Sequence, residues 1–185
     1  SNSKTETLEH GVAVIATGAS PLKPAEYGYG EDPRILTSLE LDRKFLDKDP
    51  ALNKVNTAVF IQCVGSREPE RPYCSRVCCT HSIDNALELK KLNPEMNVYV
   101  LYRDIRTYGF HEIAYREARA QNIRFERYEP DATPEVMVNG SVKCTFRDMI
   151  LKQTIETAPD LLVLASPIIP GIDSEKISGQ LRVPL

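Results

Sequence analysis

Cys63, Cys74, Cys78 and Cys79 fall within seventeen residues, in the run CVGSREPERPYCSRVCC, while the fifth cysteine, Cys144, stands far from them. Five cysteines scattered at random over 185 positions would place roughly 0.5 in such a window, so the cluster asks for a chemical reason. Four thiolates that converge can hold a metal ion or an iron–sulfur centre. Structural zinc sites bring their ligands as two separated pairs. Here the last two are neighbours, which is awkward at one tetrahedral ion. A four-iron cubane spreads its ligand points over four irons, so adjacent cysteines can bind different corners. The spacing therefore favours a [4Fe-4S] cluster. A zinc site and a metal-free set of buried or redox-active thiols stand as alternatives. Disulfides are disfavoured because nothing in the chain looks secreted.

The residues around the thiols suit an anion. Arg67, Arg71 and Arg76 lie in the same loop. The stretch after Cys79, THSIDNALELKKL, reads as a helix with Ile83, Ala86 and Leu87 on an apolar stripe. Its amino end would direct unpaired amides and positive dipole toward the sulfurs.

To position such a loop the chain needs a rigid scaffold, and its 185 residues suffice for one domain with a proper core. Hydrophobic residues at 42% and charged residues at 26% describe an ordinary globular composition. A net charge of -3 gives no sign of nucleic-acid binding. No apolar run reaches the roughly 20 residues of a membrane span, and no signal peptide is visible, so direct membrane insertion is not expected and the cytoplasm is the default location. Ser1-Asn2 reads as a tag remnant, and both ends suggest a piece cut from a longer protein.

From Asn56 the pattern is β-α-β-α-β. TAVFIQCVG is a buried strand, the cysteine loop and a helix at about 82–92 follow, and NVYVLYRD is a second strand. A helix over His111–Gln121 and a third strand over Ile123–Tyr128 complete it. This order predicts an α/β fold with a Rossmann-like parallel sheet. Asn139-Gly140 between alternating apolar residues signals a hairpin, and MILKQTIET adds a strand to make a β-meander before the buried strand DLLVLAS. Ahead of this unit, Val12–Ala16 reads as a buried strand ending in a Thr-Gly turn, and residues 23–54 as a linker or crossover with a short helix near Leu39–Leu46. The expected organisation is thus a strand of a neighbouring lobe in 1–22, a linker in 23–54, the Rossmann-like domain in 55–158, and a return strand toward the other lobe in 159–185.

That layout resembles the nicotinamide-binding domain of the two-dinucleotide-binding flavoproteins, among which thioredoxin reductase is a member. Ala16-Thr17-Gly18 matches their ATG motif, which implies an FAD contact at those residues, and Asp160–Gly171 looks like the return strand, with Ser166-Pro167 where many members have Thr-Gly. The cysteine run with the following helix and YVLYRDIRTYG resembles the A subunit of heterodisulfide reductase and its relatives, from about Gly11 to Leu185. The resemblance implies an FAD and iron–sulfur electron-transfer protein that works with other heterodisulfide reductase-type subunits and electron carriers. It also implies that Cys63, Cys74, Cys78 and Cys79 ligate a [4Fe-4S] cluster near the flavin. The amino-terminal flavin fingerprint and ferredoxin-type cysteine modules of full-length members are not in this sequence. The chain is therefore expected to be part of an oxidoreductase and inactive alone.

Pyridine-nucleotide binding gains little support. Where Gly-x-Gly-x-x-Gly would follow the first strand, the chain reads Cys63-Val64-Gly65-Ser66, and only Gly65 serves as a turn glycine. Gly28 to Gly30 lie in the expected linker and are no fingerprint. His81 is a fourth ligand only in a zinc reading, and a capping or solvent-exposed role suits it better. Cys144 in SVKCTF reads as a packed core thiol. The turn at Tyr108-Gly109 sits where α/β ligands often bind. Besides the electron-transfer reading, two others remain open: an NAD(P)-binding domain of a disulfide oxidoreductase-type flavoprotein, and a zinc-stabilised interaction module. No acid–base catalytic set stands out.

Overall fold

The computed structural model describes residues 6–183. They form two compact units, one from Pro21–Ile168 and a smaller one from the described parts of Ser1–Ser20 and Ile169–Leu185. The Ser1-Asn2 pair and the final Pro184-Leu185 lie outside the described residues.

In chain order the elements are β1 (Ala19–Pro21), β2 (Ile35–Thr37), α1 (Ser38–Leu46), β3 (Thr57–Ile61), α2 (Cys78–Leu92), β4 (Asn97–Tyr102), α3 (His111–Ala120), β5 (Arg124–Arg127), β6 (Glu135–Val138), β7 (Val142–Asp148), β8 (Gln153–Thr157), β9 (Leu161–Leu164), β10 (Ile168–Pro170) and α4 (Ser174–Leu181), with a short 3-10 turn over Pro50–Lys54. Five strands make a parallel sheet in the order β2-β9-β3-β4-β5. The central strands TAVFI, NVYVLY and LLVL are continuous apolar runs because both faces of the sheet are covered. On one face Ala58, Phe60, Val98 and Val100 pack under Ile83, Ala86 and Leu89 of α2. On the other, Val59, Ile61 and Leu101 meet Val142, Cys144 and Phe146 of the antiparallel meander β6-β7-β8. The Asn139-Gly140 turn joins β6 to β7, with Gly140 at φ +72, a left-handed conformation that glycine adopts without a Cβ penalty.

Local chemistry sets the element ends. Thr37 caps α1 by a capping box, its hydroxyl accepting from the Glu40 amide while the Glu40 carboxylate accepts from the Thr37 amide. The Asp160 carboxylate accepts from the amides of Asn56 and Thr57 at 2.8 and 3.1 Å and so holds the start of β9 beside the start of β3.

Three expectations about the flanks need correction. Val12–Ala16 forms no strand and is exposed, Val12 at 81% and Val14 at 87%. An apolar run becomes a buried strand only where a ladder partner exists, and among the described residues β10 pairs with β1 alone. Residues 23–54 are no linker: Ile35–Thr37 pair with Leu162–Leu164 at the sheet edge, and α1 packs on α2. Asp160–Ser166 likewise does not leave the unit, because β9 lies between β2 and β3 inside the sheet. α2 begins at Cys78, four residues ahead of the expected 82, so two of the clustered thiols sit in its first turn.

Candidate cluster site

β3 delivers Cys63 to the carboxyl end of the sheet. The Gln62 amide still donates to the Leu101 carbonyl, at 2.9 Å, and one residue later the chain turns out of the ladder. Cys63, Gly65, Arg67 and Arg76 all take positive φ, at 62, 67, 61 and 62°. Three of these are not glycine, and each such residue costs of order 1 kcal/mol, so the loop persists only because its surroundings over-determine it. Ser66 Oγ donates to the Tyr73 carbonyl at 2.8 Å, and Arg71 Nε to the Gly65 carbonyl at 2.6 Å. The far side is fastened to the segment after β9: the Tyr73 hydroxyl donates to the Ile168 carbonyl, and the Ile168 amide to Ser75 Oγ at 2.9 Å.

The four thiols gather around the amino end of α2. Cys78 and Cys79 are its first two residues, with no side-chain cap and no acid in the first turn. Cys79 is buried and its sulfur lies 3.8 Å from the Asp104 carbonyl, after β4. The Cys78 sulfur is 3.4 Å from the Ser166 carbonyl, after β9. Cys74 Sγ accepts from the Arg76 amide at 3.4 Å, and Cys63 Sγ lies 3.9 Å from Arg67 Nη1. Arg67 is itself paired with Asp104, whose second oxygen accepts from Arg106 Nε at 2.7 Å. Arg103 donates to the Arg67 carbonyl at 3.2 Å and stacks over Tyr128. An open cleft of about 380 Å³ between Arg67, Pro72, Cys74 and Arg106 leads to this corner.

The electrostatics report the convergence. Burial, and then repulsion from Cys79, Cys63 and Cys74, push the Cys78 thiol up to about 12. Burial raises Cys63, with Arg67 pulling the other way, and burial raises Cys79. In the metal-free protein these three thiols carry their protons at neutral pH, and a bound metal must displace them. The donor set fits an iron–sulfur cluster in kind: four thiols on one corner, arginines beside them, and an uncapped helix terminus. Among the described residues no three His, Cys, Asp or Glu side chains are grouped to hold a metal ion, so as the side chains stand neither a cluster nor a single ion has its ligands assembled.

The other sequence candidates fall elsewhere. Cys144 is fully buried in β7. His81 pairs through Nε2 with Asp42 at 2.7 Å and is no cap. Ala16, Thr17 and Gly18 belong to the smaller unit and are exposed, with Gly18 at φ +68. Arg103 and Asp104 lie in the stretch leading to the Tyr108-Gly109 turn, the candidate ligand-binding end of the second strand, whereas the Ser166 and Ile168 carbonyls were not legible as parts of the site. Their one sequence signal is position, since each follows a strand that runs parallel to β3.

A parallel sheet flanked by helices and a meander, with the cysteine loop at the carboxyl ends of the strands, defines a Rossmann-like α/β domain. Solved structures with this fold include the NAD-dependent persulfide reductase of A. fulgidus (TM-score 0.53, 22% identity, 89% of this chain and 27% of that one). Another is the ornithine N-hydroxylase of Kutzneria sp. 744 (TM-score 0.54, 12% identity, 85% of this chain and 46% of that one). More particularly, the chain is homologous to part of the A subunit of heterodisulfide reductase. It is 35% identical to the A subunit of the H(2):CoB-CoM heterodisulfide,ferredoxin reductase of Methanothermobacter thermautotrophicus, over 92% of this chain and 28% of that protein. It is 34% identical to the iron-sulfur A subunit of the CoB–CoM heterodisulfide reductase of Methanocaldococcus jannaschii, over 96% of this chain and 30% of that protein. The chain thus spans under a third of the length of these relatives, which are oxidoreductase subunits. No protein-family model matches it. No helix among the described residues is long and apolar enough to cross a membrane.

Proposed function

We propose that this chain is the cluster-bearing part of an oxidoreductase of the heterodisulfide reductase A type, with Cys63, Cys74, Cys78 and Cys79 as ligands of one [4Fe-4S] cluster. What supports the reading is that Cys63 follows the end of β3, Cys74 lies in the loop after it, and Cys78 and Cys79 open α2 with their sulfurs beside the Ser166 and Asp104 carbonyls that follow β9 and β4. When bound, the cluster supplies one-electron transfer. The chain's own residues hold it: the first-turn amides of α2 and the arginines at 67, 71 and 76 offset its negative charge, and the strained loop sets its exposure. No side chain here needs to move a proton. With FAD bound to the rest of the protein, the cluster would exchange electrons with it, and Ala16–Gly18 would contribute a contact of the flavin lobe. Partner subunits of the heterodisulfide reductase type and soluble electron carriers complete the route, in the cytoplasm, where thiols stay reduced. The cysteine loop from Cys63 to Val77 stands where a nucleotide-binding domain has its glycine-rich turn, which favours the cluster reading over a pyridine-nucleotide site.

Anaerobic reconstitution tests this. About four irons with matching acid-labile sulfide per chain are expected. One zinc and no sulfide-bearing iron under the same conditions would establish the zinc-stabilised module instead.

A further inference from the structure

Gln62 is fully buried, yet neither Nε2 nor Oε1 of its side chain meets a hydrogen-bond partner. Buried amides are almost always satisfied, so an exception calls for a reason. Its placement offers one. Side chains alternate along a strand. In β3, Ala58 and Phe60 point into the layer under α2, while Val59 and Ile61 point to the meander. Gln62 still holds its ladder bond to Leu101, so its side chain has the parity of Phe60 and enters the layer under α2. α2 runs back over the sheet from the carboxyl end of β3, so its first turns lie above this residue. Of α2, Cys79, Ser82, Ile83 and Ala86 are buried at the spacing of one helix face. Ser82 Oγ is also buried without a partner. The Gln62 amide therefore sits directly before one thiol in sequence and in the layer roofed by another.

We infer that Gln62 is a hydrogen-bond donor to the bound cluster, with its Nε2 left free for a cluster sulfur on the Cys63–Cys79 side. This rests on the cluster reading above and adds a residue that sets the potential. A donor to sulfur favours the reduced, more negative state and raises the potential. The polar group is then kept in an otherwise apolar layer because its partner is the bound group. Packing alone would be served better by leucine.

The experiment is a redox titration of the reconstituted chain, followed by electron paramagnetic resonance, on wild type, Gln62→Leu and Gln62→Met. Iron and sulfide are counted first. If wild type takes up no four-iron cluster, the cluster assignment itself fails, independently of Gln62. With cluster loaded, Gln62→Leu is expected to lower the reduced-to-oxidised ratio at a fixed poise about tenfold, a shift of about 59 mV for one electron. Gln62→Met keeps the length of the side chain, carries no N–H or O–H donor and shifts the potential in the same direction, which covers the case of a leucine variant that does not fold. A fully loaded variant whose reduced-to-oxidised ratio at that poise stays within twofold of wild type, or rises, overturns the inference and leaves Gln62 as a packing residue.

Discussion

Cys144 is the natural control for the proposed cluster ligands, and its burial decides how that control should be built. The thiol is 0% exposed on the central strand of the meander, in the core layer that also holds Val142, Phe146, Tyr99 and Tyr128. Burial alone pushes it up to about 12, with no charged group contributing. Replacing it with serine places a hydroxyl in that layer. An unpartnered buried hydroxyl costs about 1–3 kcal/mol, and for a chain of this size each kcal/mol lowers the melting temperature by about 2–4 °C. Cys144→Ser should therefore melt roughly 2–12 °C below wild type. Cys144→Ala adds no polar atom and loses one sulfur, a cost of about 1 kcal/mol. Neither should change the iron bound per folded chain. Cys79→Ala should do the opposite, removing a ligand and leaving a chain that no longer completes the cubane. The assay has two axes, the thermal midpoint of the metal-free protein and iron with sulfide after anaerobic reconstitution. If Cys144→Ala lost as much iron as Cys79→Ala, the ligand assignment would be wrong. If Cys144→Ser melted with wild type, the burial argument would be.

Asp160→Ala leaves the Asn56 and Thr57 amides without their carboxylate acceptor. Because water can reach them, a loss of about 1–2 kcal/mol is expected in urea melts, and a loss below a few tenths would show that the β3–β9 pairing does not depend on this clamp. Asp32 accepts from Arg34 Nε at 2.8 Å, Nη2 at 2.7 Å and the Arg34 amide at 2.9 Å, which holds its carboxyl at about 2 instead of 3.8. The folded value is the lower one, so the stabilisation is complete above pH 4 and is lost as pH falls through about 2. The difference in stability between wild type and Asp32→Asn should close over that window, and a difference that persisted at pH 2 would contradict it.

The scaffold was legible because its strands are apolar on both faces. TAVFI, NVYVLY and DLLVLA can only be buried strands, and the helices between them oblige parallel pairing. The hairpin was legible from Asn139-Gly140. What the pattern hid was partnership. Val12–Ala16 has the same apolar density as β3, but a run of that kind states only that it can be buried and leaves open by what. Ile35-Leu36-Thr37 is three residues long among prolines and glycines, too short to register as periodic, although it closes the edge of the sheet. In the site, the four cysteines and the loop arginines declared themselves by type. The Ser166 carbonyl did not, because a residue that serves a neighbour across the ends of parallel strands has no local signature. Gln62 was hidden for a different reason. One polar residue at the end of a strand reads as the edge of the core, and only its unmet hydrogen bonds distinguish it.

The position of the cysteine loop bears on what else this domain can bind. In a nucleotide-binding domain of this fold, a short glycine-rich turn after the first strand lets the opening amides of the next helix meet a pyrophosphate. Here the corresponding helix, α2, keeps the features that attract an anion: its cap carries no side-chain hydrogen bond and its first turn holds no acid. The turn itself has been replaced. Cys63 through Val77 occupy the approach, pinned to the Tyr73 and Ile168 carbonyls, and the first helical residues present sulfur where a phosphate would come closest. On the proposed assignment the amides at this terminus are committed to the cluster, and a pyrophosphate would need both the same amides and the space of the loop. On that assignment cluster and pyridine nucleotide compete for this end of the sheet.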